Sequence, residues 1–75
     1  MKPGQIEIIK ANISIQGYDN EIPLSVLKRE LSNFVGIDKY RLKYTVDTLV
    51  ELGFFEWVNI HSLKAKNNGN NGGNK

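Results

Sequence analysis

The sequence predicts a small α+β domain of three helices with a small β element. Three observations point to it. Residues 25–34 and 38–52 repeat apolar side chains at helical spacing, and a glycine closes each stretch. After the second of these glycines, Gly53, aromatic and β-branched residues take over, as in a strand. The chain has 75 residues, and a domain of that size buries only about 60% of the surface its unfolded chain exposes. Two helices and a strand leave too much apolar surface open, so a third helix is required to cover them.

That third helix is expected first in the chain. Pro3 suits an opening turn, where its missing N–H costs little. The segment QIEIIKANISIQ then runs to a stop at Gly17. It carries two periods. Ile13 and Ile15 alternate as in a strand, whereas Ile6, Ile9 and Ile13 share one helical face. A helix would leave Ile8 and Ile15 on the opposite face, either as ordinary exposed isoleucines or as a dimer surface.

Glu21-Ile22-Pro23-Leu24 reads as extended chain, with room for a brief edge strand. Ser25 fits the N-cap of a helix over Val26–Phe34, with Leu27, Leu31 and Phe34 inward and Lys28, Arg29 and Ser32 outward. Gly36 ends it, and Ile37 is expected to pin the turn to the core. Asp38 caps the next helix, which buries Leu42, Val46 and Leu49 and runs to about Leu52. Gly53 stands where a left-handed residue closes a helix. Phe54–Lys66 is expected as strand, with Phe54, Val58 and Ile60 on one side and Phe55, Trp57 and Leu63 on the other. His61 is expected within it. The domain is set at 1–66, and the Asn/Gly-rich residues 67–75 are expected to be disordered.

Composition excludes several functions. There is no cysteine and one histidine, so neither disulfides nor a metal, cofactor or small-molecule ligand is expected. No apolar run approaches the roughly 20 residues of a membrane span. The opening Met1-Lys2-Pro3-Gly4 leads to Glu7 and Lys10 rather than to a signal-peptide core, so a cytoplasmic protein is expected. Net charge is only +2. Lys64, Lys66 and Lys75 lie in a stretch with no acid, so the rest of the chain is near neutral and any pull on nucleic acid must come from a local patch.

The ordered set of features resembles a winged helix-turn-helix domain of the kind found in small bacterial, archaeal and phage regulators. The matching residues are Ile22-Pro23-Leu24-Ser25, Leu27 and Leu31, Ile37, then Leu42, Val46 and Leu49, and finally Glu51-Leu52-Gly53-Phe54-Phe55. The match covers about residues 5 to 60. It implies double-stranded DNA as partner, a homodimer, a nucleoid-associated role in transcriptional regulation, and the 38–52 helix in the major groove. It departs from the family at the wing. No clean turn breaks Phe54–Lys66, and Asn59 is the best candidate. Either the wing is very short, or one strand runs on towards the tail.

Residue chemistry supports the resemblance. Lys39, Arg41 and Lys43 cluster in the first turns of the 38–52 helix, where base contacts concentrate. Lysine and arginine contact phosphate or the guanine edge. Tyr40 and Tyr44 donate to phosphate or pack on sugar. By position Tyr40, Lys43, Tyr44 and Asp47 face the groove, with Lys39 and Arg41 at its sides. Lys28 and Arg29 would hold the DNA backbone, and Lys64 and Lys66 would add contacts beyond the strand. Trp57 is read as a packing or dimer residue.

An enzyme is not expected. His61 has no acid or nucleophile at useful spacing, and Ser25 and Asp38 are better used as caps. The alternative is a winged helix that recruits protein through Phe54–Val58. The net charge of +2 over residues 38–43 favours DNA, since a protein-binding module has no need of it.

Overall fold

The structure, a computed structural model, describes residues 2–66; the 67–75 tail lies outside the described residues. The element order is α1 (Pro3–Ile15), β1 (Ile22–Pro23), α2 (Leu24–Val35), α3 (Lys39–Glu51), β2 (Phe55–Asn59) and β3 (Ser62–Ala65). The strands form an antiparallel sheet in the order β1-β3-β2. This is the expected mixed α+β arrangement. No described helix is long and apolar enough to cross a membrane.

The two periods of the first segment resolve in favour of a helix. Ile6, Ile9 and Ile13 are buried, whereas Ile15, which a strand would place beside Ile13, is 82% exposed. Pro3 opens α1, and the Lys2 backbone N–H donates to Gln5 Oε1 at 3.0 Å. One cluster forms the core: the α1 isoleucines, Val26, Leu27 and Leu31 of α2, Leu42, Val46 and Leu49 of α3, and Ile22, Phe55 and Leu63 from the sheet. Each fully buried side chain of this size contributes about 1.5–3 kcal/mol.

Both ends of α3 follow their local chemistry. Asp38 Oδ1 accepts from the Tyr40 N–H at 2.9 Å and from the Arg41 N–H at 3.2 Å. At the other end Gly53 has φ 89°. The Phe54 N–H reaches back to the Leu49 carbonyl and the Gly53 N–H to that of Val50, both at 3.0 Å. That pair of bonds closes a helix through a left-handed residue and turns the chain into β2.

Four expectations are corrected. Ser25 is not the cap of α2, because the helix starts at Leu24 with Pro23 before it. The first free N–H, that of Leu24, instead donates to the His61 carbonyl at 2.8 Å, so the turn of the hairpin caps the helix. Ile37 does not pin the turn and is 88% exposed; the stripes of α2 and α3 meet without it. Phe54–Lys66 is not one strand but a hairpin, β2 and β3, turning at Ile60 and His61. The register runs Trp57↔Leu63 and then Asn59↔Ser62, so Val58 is an extra residue in β2. That bulge breaks the alternation that had grouped Ile60 with Phe54 and Val58, and His61 is a turn residue rather than a strand residue. Asn59, the candidate turn residue, accepts at Oδ1 from the His61 N–H at 2.8 Å, an Asx-type turn.

Candidate nucleic-acid interface

With one stripe of α3 in the core, the opposite stripe is left open. Tyr40 and Tyr44 are 75% and 72% exposed. Lys43 Nζ lies 3.0 Å from Asp47 Oδ2 between them and the next turn. Lys39 Nζ stands 5.4 Å from the centre of the Tyr40 ring, within the range of a cation–π contact. Arg41 is exposed in the same turn. The Asp38 carboxylate already satisfies two of the N-terminal amides and brings a negative charge there. Anion contacts at this helix therefore depend on side chains, not on its free N–H groups.

Lys28 of α2 joins this face. With Leu24 it meets Lys43, Val46 and Asp47 of α3 and Trp57 of β2 around a cleft of about 280 Å³. Three candidates from two helices, Lys28, Lys43 and Asp47, thus share a boundary with the Trp57 indole.

Three other sequence candidates are drawn elsewhere. Arg29 Nη2 donates to Gln16 Oε1 at 2.7 Å, towards α1. Lys64 pairs with Glu56 across the hairpin at 3.5 Å. The Lys66 N–H donates to the Phe54 carbonyl at 2.9 Å, and the Lys66 carbonyl accepts from Lys10 Nζ at 3.3 Å, so Lys66 sits at the base of the hairpin, away from its turn.

Trp57 and His61 were not among the sequence candidates. Trp57 points to the same side of β2 as Phe55, yet it is 41% exposed where Phe55 is 1%. The core ends beneath it, and the indole becomes a wall of the α3 cleft. It also lines a more open groove of about 490 Å³ with Asn59 and Ile60. His61 borders a third depression of about 410 Å³ with Ser25 and Lys28. No spacing rule in the sequence marks Trp57 as different from Phe55; only the register of the hairpin does.

The candidate surface is thus an open helix stripe flanked by a lysine from α2 and an indole from β2. No family model matches the chain, and no curated protein or solved structure matches it either.

Proposed function

We propose that the chain is a winged helix-turn-helix domain that binds double-stranded DNA, with α3 in the major groove and the β2–β3 hairpin as a short wing. The observation that carries this reading is the uncovered stripe Tyr40, Lys43, Tyr44 and Asp47, backed by the buried stripe Leu42, Val46 and Leu49. A helix that docks by one face and offers basic and phenolic groups on the other suits a groove reader. Lys39 and Arg41 supply phosphate contacts at its start, and Lys28 supplies one from α2. Transcriptional control is the role this arrangement fits, as a nucleoid-associated protein.

Titration of mixed-sequence duplex DNA over a range of salt tests the reading. With Lys28, Lys39 and Arg41 on phosphate, log K falls against log salt with a slope of about −2.7. Absence of duplex binding at low salt overturns it.

A second reading has its own observation. Val58 and Ile60 are 46% and 80% exposed at the hairpin, a surface that suits a protein partner. Capture of a protein by a chain with no affinity for duplex would favour it. Self-association is proposed separately, through Ile8 and Ile15 of α1, which are 51% and 82% exposed. A monomer mass in light scattering at high concentration removes that proposal.

A further inference from the structure

We propose that the cleft between α2, α3 and β2 holds one unstacked base of a single-stranded nucleic acid, with its ring against Trp57 and its flanking phosphates on Lys28 and Lys43. The proposal rests on the nucleic-acid reading of the α3 face and goes beyond its duplex form.

Three chemistries converge there. Leu24 and Val46 give the cleft apolar lining, and the part-exposed indole of Trp57 forms one wall. Base–aromatic stacking needs such a wall and tolerates any base, because every base has a π-face. Lys28 makes no ion pair among the described residues, so its charge is available to a phosphate. Lys43 is held by Asp47 at 3.0 Å. An arriving phosphate takes over Lys43, and the released Asp47 carboxylate accepts from a base N–H, such as N3–H of thymine or uracil. A base within a stacked duplex cannot turn edge and face into the cleft together. The occupant is therefore an unpaired nucleotide. Two lysines at the rim favour it over an apolar peptide.

Trp57 is the only tryptophan of the chain, so its emission reports contact with the indole, and Lys28→Gln assigns that contact to the cleft. The full chain is titrated at low salt with oligothymidylate, which has no secondary structure, and in a parallel arm with oligouridylate to separate DNA from RNA. Saturable quenching is the expected result. Anisotropy of labelled oligothymidylate then follows variants checked for folding by circular dichroism. Trp57→Ala weakens binding about tenfold or more, while Trp57→Phe, which keeps a ring, stays within a few-fold. Lys28→Gln weakens binding and lowers the salt slope by about 0.7.

Binding without quenching overturns the cleft, as does equal affinity of Trp57→Ala and the unmodified chain. If the alanine variant does not fold, an unchanged Lys28→Gln slope overturns it instead. Failure to bind either single strand also overturns it. Duplex titrated alongside stands or falls on its own: duplex binding with no single-strand binding leaves the groove reading intact and removes only the cleft.

Discussion

Lys43 Nζ and Asp47 Oδ2 face each other at 3.0 Å, one turn apart on the open stripe of α3. Both side chains are more than half exposed, so the pair adds little to stability. On the DNA-binding reading its effect falls on the interface instead, where Asp47 would cancel the charge that Lys43 offers to DNA. Asp47→Asn is expected to tighten non-specific duplex binding about fivefold at low salt, from the ~1 kcal/mol that two unit charges exchange at 4 Å in water. The salt slope should steepen by about 0.9 as Lys43 gains a phosphate. A loss of affinity in the anisotropy titration would show that Asp47 contacts a base in the duplex.

Replacing Lys39, Arg41 and Lys43 together with alanine removes the basic start of α3. None of the three is buried, and alanine is the best helix former. The circular dichroism spectrum and melting temperature should therefore stay close to those of the parent. Duplex binding should be lost at moderate salt. Unchanged affinity would move the DNA surface away from this helix.

How much of this was legible in the sequence depends on which interactions set each element. The stripe Leu42, Val46 and Leu49, the Asp38 cap and the Gly53 exit are local signals, each confined to one helix, and the structure has all three. The hairpin was not legible, because its turn uses no glycine or proline. It is made by the Asn59 side chain bonding to the His61 N–H and by the extra residue Val58, and a bulge erases the alternation that marks a strand. Ser25 failed as a cap for a non-local reason: the Leu24 N–H is taken by His61, far along the chain. Trp57 and Lys28 meet through tertiary packing alone, so no spacing predicted their cleft.

Gly36 makes a separate stability prediction. Its φ of 90° and ψ of −178° belong to a region that is essentially glycine's alone. A Cβ there would meet nothing within 4 Å, so Gly36→Ala tests backbone strain without a steric clash. The variant should lose about 1–3 kcal/mol in urea denaturation. A loss of only a few tenths would mean that the α2–α3 turn relaxes to another conformation.

Glu30 is 8% exposed between α1 and α2. Its Oε2 accepts from Gln16 Nε2 at 3.0 Å and its Oε1 from Asn12 Nδ2 at 3.4 Å. Glu30→Ala removes both hydrogen bonds, and because Asn12 and Gln16 stand open to water it should cost about 0.5–1.5 kcal/mol. A double-mutant cycle with Gln16→Ala should show a coupling of about 0.5 kcal/mol or more, as residues in one hydrogen-bonded network do. Additive losses would assign the cost to packing rather than to the network.

Lys28 and Arg29 are sequence neighbours with the same charge, and the fold separates them. Lys28 lines the cleft beside Lys43 and Trp57, whereas Arg29 is bonded to Gln16 of α1 at 2.7 Å. On the DNA-binding reading the two alanine variants should therefore differ. Lys28→Ala should weaken duplex binding and lower the salt slope by about 0.9. Arg29→Ala should leave affinity within about twofold of the parent, since its guanidinium is engaged by Gln16 of α1 rather than lining the cleft. Because both substitutions remove one positive charge from α2, a shared loss of affinity would point to bulk charge. A loss confined to Lys28 would point to the face formed by α3, the start of α2 and the indole of Trp57.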